Sequence, residues 1–120
     1  MTEKIEALNS LAADIHKLNH NWWHGMDGAK LQRNKGELLC LIHSEISEAM
    51  EGERKDLMDD KLPHRKMAEV ELADAIIRIL DYAAGFNYDI SGAIHEKLIY
   101  NLSRQDHSLE ARAAAGGKKW

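Results

Sequence analysis

One cysteine, one proline and one phenylalanine in 120 residues exclude several kinds of protein at once. A lone cysteine cannot make an internal disulfide, and Cys40 lies within a helical pattern, so a reducing, cytoplasmic setting is the expectation. With proline all but absent and β-branched and aromatic residues scarce, the chain leans towards helix. No stretch approaches the roughly 18 apolar residues that a membrane span needs. The opening MTEKIEALNS has no apolar segment of the kind that marks a secretory signal. An excess of positive charge is also missing. The net charge of -4 gives no general reason to bind nucleic acid or an acidic membrane. What is present is ordinary for a globular chain, 44% hydrophobic and 30% charged residues, and the length suits one domain over 1–120 with one modest core.

Apolar periodicity predicts four helices. Ile5, Leu8, Leu11, Ala12, Ile15 and Leu18 recur at three- and four-residue steps, a helix over 3–20. The glycine-containing NWWHGMDGAKLQRNKG reads as a loop. A second helix covers 35–54, and Pro63 suits the first turn of a third that closes near Gly85. Asp89 reads as the N-cap of a fourth over 90–104, followed by a tail that starts helical and frays at Gly116–Gly117. The expected fold is all-α, a four- to five-helix bundle.

The second and third helices share an anomaly. On a wheel of about 100° per residue, Glu45 falls inside the apolar arc made by Leu38, Leu41 and Ala49, and Glu48 sits at its edge. In the third helix Asp74 lies between Val70 and Ile77, with Glu71 on the rim. Glu69 also points to the apolar side, but in the first turn, where the helix dipole favours an exposed carboxylate. Each pair, Glu45 with Glu48 and Glu71 with Asp74, is spaced i,i+3 and shares one face. A carboxylate buried alone is very costly, so such groups pair, take a proton or bind metal. If the two helices pack antiparallel the pairs converge, and four carboxylates carry too much charge for one lysine to offset. Oxygen-only ligands select hard cations, Mg²⁺ or, as a substitute, Mn²⁺. The di-iron carboxylate bundle is a poorer fit, because no glutamate here is followed three residues later by histidine.

The fourth helix presents Lys97, Asn101 and Arg104 as one stripe of donors beside the apolar Ile90, Ile94 and Leu98. Lysine and arginine are natural partners of phosphate oxygens. Trp22 and Trp23 offer flat faces for base stacking, or else plug a helix end or an interface. The seven histidines form no zinc pattern, and His16 and His20, at i,i+4, read as an exposed helix face. Neither GMDGAK nor AAAGGKK has the register of a phosphate-binding loop, so phosphate contacts fall to metal and side chains.

Together these residues resemble the MazG-like, all-α nucleoside triphosphate pyrophosphohydrolases, whose signature is E-x-x-E, a spacer, then E-x-x-D. Here it reads EISE (Glu45, Glu48), 22 intervening residues, then ELAD (Glu71, Asp74), with KLIYN (Lys97, Asn101) matching the downstream K-x-x-x-N. The resemblance spans about residues 35–105, the core, and leaves 106–120 as a tail. It implies Mg²⁺-dependent hydrolysis of the α–β phosphate bond, giving monophosphate and pyrophosphate. Glu45, Glu48, Glu71 and Asp74 would then ligate metal, with Glu48, or alternatively Glu45, as general base. Lys97, Asn101 and Arg104 would meet the substrate phosphates or sugar. It also implies a homodimer or homotetramer in which partner helices complete the bundle. A single motif copy makes this a single-domain form. The Trp22–Trp23 loop and the GGKKW end lie outside the family core, and RQDHS at 104–108 sits where it would extend the phosphate or base contacts. The tryptophans suit a large base, hence a purine deoxynucleotide such as dGTP or dATP.

A rival expectation is a non-enzymatic helical interaction module whose acidic faces bind a basic partner. It places the four carboxylates exposed and apart; the metal reading places them together.

Overall fold

The computed structural model describes residues 2–104 and 109–118, and among them the chain is all-α, with two isolated β-bridges and no named strand. The helices are α1 (Glu3–Leu18), α2 (His20–Trp23), α3 (Lys35–Arg54), α4 (Met67–Gly85), α5 (Ile90–Ser103) and α6 (Leu109–Ala113). Side-chain oxygens cap three N-termini: Thr2 accepts from the Ile5 N–H at 3.4 Å, Asn34 from Glu37 at 2.9 Å and Asp89 from Gly92 at 2.8 Å. Each cap satisfies a backbone donor that the first turn leaves without a helical partner.

The central element is α4, with α3 on one side and α1 on another, while α5 packs on α1. α3 and α4 run antiparallel. Gly52, at the end of α3, lies against Met67 and Ala68 at the start of α4. Glu45 meets Arg78 in mid-helix, and Lys35, at the beginning of α3, lies 4.8 Å from the Phe86 ring just past the end of α4. Small residues allow this close approach: Ala49, Ala68, Ala75 and Ala83 are buried, with Leu80 and Trp23 the large buried apolar side chains among the described residues.

A polar hub ties α1 and α2 to α4. Asp81, 5% exposed, accepts from His16 Nδ1 at 2.7 Å, Asn19 Nδ2 at 3.2 Å and Trp23 Nε1 at 3.0 Å. A buried carboxylate is tolerated when donors surround it in this way. A second lock joins α1 to the start of α5, where the fully buried Ser91 donates to the Ile5 carbonyl and accepts from the Asn9 N–H at 3.0 Å.

Three expectations need correction. The first helix ends at Leu18, and the tryptophans lie on the short α2 instead of in a loop. His16 is not on an exposed face; the Asp81 carboxylate holds it, whereas His20 is exposed and stacks on His24 at 3.8 Å. Pro63 precedes α4 instead of opening it. The buried Asp59 accepts the N–H groups of Lys61 and Leu62, at 3.0 and 2.8 Å, and this turn uses up the backbone before the helix starts at Met67. Glu69 lies exposed in the first turn, accepting from the Lys66 N–H at 3.2 Å.

Gly85 abuts the Trp23 ring: an added Cβ would stand 2.7 Å from its Cζ2. Alanine gains about 1 kcal/mol of helix propensity over glycine, but overpacking costs about 1–3 kcal/mol, and Asp81 pins the ring against moving aside. Gly85→Ala is therefore expected to lower unfolding free energy by up to about 2 kcal/mol, measured by urea denaturation. Unchanged stability would show that the Trp23 ring is free to shift.

Candidate metal centre

Antiparallel packing brings the two inward carboxylate pairs to one cavity between α3, α4 and the 55–66 connection. Glu45, Glu48, Glu71 and Asp74 all line it, with Asp59, Asp60 and Lys61 from the connection, and its volume is about 640 Å³. Glu45, Glu71 and Asp74 each direct one oxygen to a common point, these atoms lying within 4.8 Å of one another. Glu48 is exposed at the rim.

The electrostatics follow from that crowding. Glu45 is only 8% exposed; its Oε1 accepts from Arg78 Nε at 3.2 Å, while its Oε2 is buried with no nitrogen donor, which leaves the Glu71 carboxyl, when protonated, as the other partner of this carboxylate. The Glu71 carboxyl is pushed up to about 8, first by the hydrogen bond its protonated form makes to Glu45, then by burial and by the proximity of Glu48. Burial raises Asp74, with Glu45 adding to the effect and the Arg78 guanidinium opposing it. Several carboxylates in one partly dry space cannot all ionise freely, so a proton or a cation must sit among them.

The fit to a metal can be judged from the Glu45 Oε2 oxygen and the donor set. A buried carboxylate oxygen without a nitrogen donor needs a proton or a cation beside it. The three converging groups supply only oxygen, the ligand type of Mg²⁺ and Mn²⁺, and the cavity leaves room for the waters and substrate oxygens such ions retain. The residues present fit a hard divalent cation.

The remaining candidate residues divide. Trp22 is 48% exposed and lines an adjoining cavity of about 270 Å³ with Arg33, Leu38, Leu41, Arg78 and Tyr82. Trp23 is 2% exposed, its ring edge-on to His16 and Phe86, so it plugs the end of α4 and offers no free face for stacking. Lys97, Asn101 and Arg104 lie on α5 and its C-cap, and none of them lines the carboxylate cavity. Lys97 and Arg104 instead flank the Tyr100 ring, at 4.7 and 5.8 Å, and the buried Asn101 Oδ1 has no hydrogen-bond partner. α5 packs chiefly on α1. Residues 105–108 of RQDHS, and Lys119 and Trp120 of the tail, lie outside the described residues.

Sequence reasoning missed Asp59, Lys61 and Arg78. Arg78 had a local signal, standing at i+4 from Asp74 and i+7 from Glu71 on the same face. Asp59 and Lys61 had none, since only the folded connection carries them to the cavity.

The raised Glu71 fixes a pH dependence. Unfolded, the group titrates near its ordinary 4.5; folded, it keeps its proton to about 8. The folded state therefore binds more protons between these values, and stability falls as pH rises through the window. In metal-free buffer Glu71→Gln should flatten this slope and exceed the wild type in stability at the alkaline end, as measured by denaturation across pH. An unaltered slope would place the shared proton elsewhere.

No family model, curated protein or solved structure matches this chain.

Proposed function

We propose that this protein is a Mg²⁺-dependent pyrophosphohydrolase that cleaves a nucleoside triphosphate to monophosphate and pyrophosphate, in the manner of the MazG-like enzymes it resembles. The observation that carries the reading is the convergence of Glu45, Glu48, Glu71 and Asp74 on one cavity, with a buried carboxylate oxygen left without a nitrogen donor. An interaction module with acidic faces would favour these groups exposed and apart.

Glu45, Glu71 and Asp74 would hold the cation. When bound it would polarise the phosphoryl oxygens and offset the charge of the triphosphate. Glu48, at the rim and in contact with solvent, is the better placed general base, because Glu45 is buried and tied to Arg78. It takes the proton of the attacking water as that oxygen bonds to the α-phosphorus and the bond to the bridging oxygen breaks, releasing pyrophosphate. Lys61, on the cavity wall, would meet the leaving phosphates. Trp22, with Leu38, Leu41 and Tyr82, gives the other cavity, which Arg33, Arg78 and Asp81 also line, an aromatic and apolar wall suited to the base.

The test is product analysis with each common NTP and dNTP, with and without Mg²⁺. Metal-dependent monophosphate and pyrophosphate are expected from one or a few substrates, with Glu48→Gln slowing turnover on the order of 10²- to 10⁴-fold. Orthophosphate release would discard α–β cleavage. No turnover with Mg²⁺ or Mn²⁺ would favour the interaction module.

The same reading includes self-association. Ile46 and Met50 follow the seam residues Glu45 and Ala49, and Leu72, Ile76 and Ile79 follow Glu71, Ala75 and Arg78. One residue on is about 100° of rotation, and on antiparallel helices this turns both sets to the same side of the pair. With Leu39 they leave an apolar face, each side chain 39–55% exposed. A radius of gyration of 18.2 Å, against about 14 Å for a compact chain of this length, agrees with a fold that a second copy completes. The wild type should sediment as a dimer or tetramer and Ile76→Asp as a monomer. A monomeric wild type would remove this part of the reading.

A further inference from the structure

The acidic and aromatic cavities have no lining residue in common, but Arg78 on the wall of the second bonds to Glu45 on the wall of the first. Arg78 donates from Nε to Glu45 Oε1 at 3.2 Å, while its guanidinium carbon stands 5.5 Å from the centre of the Trp22 ring. No bond from its two terminal nitrogens is formed with the described residues, so most of a five-donor fork remains unused. The Trp22 backbone is held by Arg33, whose Nη1 donates to the Trp22 carbonyl. The Arg78 side chain is about three-quarters buried, which limits solvent screening of its pairing with Glu45.

Resting on the metal-centre reading above, we propose that Arg78 is a positioning residue linking the two cavities: a divalent cation held by Glu45, Glu71 and Asp74 displaces the guanidinium from Glu45 and turns its donors into the Trp22 cavity. The argument is competition for one carboxylate. Glu45 offers one oxygen paired with Arg78 and one with no nitrogen donor, and a divalent ion held among Glu45, Glu71 and Asp74 would compete with the guanidinium for this carboxylate. It also repels that charge at close range. The Asp81 carboxylate, one turn on, is already saturated by His16, Asn19 and Trp23. The released fork therefore stays over Trp22, where it meets carbonyl or phosphate oxygens of a ligand seated on that ring. Cation binding would in this way prepare the neighbouring cavity, and the two ligands would bind in order.

Two readouts on the full-length chain test this without turnover: Mn²⁺ affinity by paramagnetic resonance of the free ion, and tryptophan emission during Mg²⁺ titration. Wild type should give a saturable change in emission, and Trp22→Phe should lose it while binding Mn²⁺ normally. Arg78→Gln, freed of the internal competitor, should bind Mn²⁺ about fivefold more tightly and show no emission change. Arg78→Lys restores the charge and should return the affinity to that of wild type. A purely structural Arg78 would weaken Mn²⁺ binding when removed. Arg78→Gln binding no more tightly than wild type, or keeping the emission change, overturns the link and leaves the carboxylate centre standing. Absence of Mn²⁺ binding by wild type overturns both.

Discussion

The seam between α3 and α4 carries charge where a pair of helices ordinarily carries leucine, and the rest of the structure answers to that constraint. Glu45, Glu71 and Asp74 crowd one point from opposite helices. Their mutual repulsion and partial desolvation oppose the packing that brings them together. Arg78 offsets part of this in mid-seam, and a proton retained by Glu71 offsets more. The helices are consequently fixed at their ends. At one end Gly52 lets Met67 and Ala68 approach closely, and at the other Trp23 seats on Gly85. Asp81 matters because it fixes Trp23: its donors come from α1, from Asn19 and from α2, so one buried carboxylate holds three segments to α4. The chain thus contains two sets of inward carboxylates with opposite conditions, one saturated with donors and one short of them. Saturation suits a structural role, and a shortage of positive partners suits a site that takes a cation.

Much of this was legible in the sequence, for reasons that also explain the failures. Helical periodicity is local, so the inward position of Glu45 and Asp74 could be read from their immediate apolar neighbours. The same wheel carries Asp81 at i+7 from Asp74, but its significance lies in His16 and Trp23, some 60 residues away, and no local pattern announces them. The Lys97, Asn101 and Arg104 stripe is real as a helix face. Which helix a face meets is decided by tertiary packing, and α5 meets α1. Trp22 and Trp23 looked equivalent while they were read as loop residues. On a helical turn adjacent side chains diverge by about 100°, so one ring is buried and the other stays open. Pro63 satisfies the first turn of a helix and the corner of a turn equally well, and the Asp59 carboxylate selects the turn.

The apolar face and the carboxylate cavity are not independent features. Ile46 and Leu72 are the chain neighbours of Glu45 and Glu71, so the helical turns that send carboxylates inward send these side chains outward. The described core is built mostly of alanines, each of which buries little apolar area. A second copy covering Leu39, Ile46, Met50, Leu72, Ile76 and Ile79 would add the missing burial directly behind the seam. It would resist the carboxylate repulsion that α3 and α4 alone must bear, and it would exclude water from one side of the cavity. Both effects sharpen the preference for a cation at the shared oxygens, since a fixed geometry and a lower local dielectric each strengthen that interaction. On the proposed function, self-association would be a condition of a well-formed centre, and the face would belong to the same functional unit as the acids beside it.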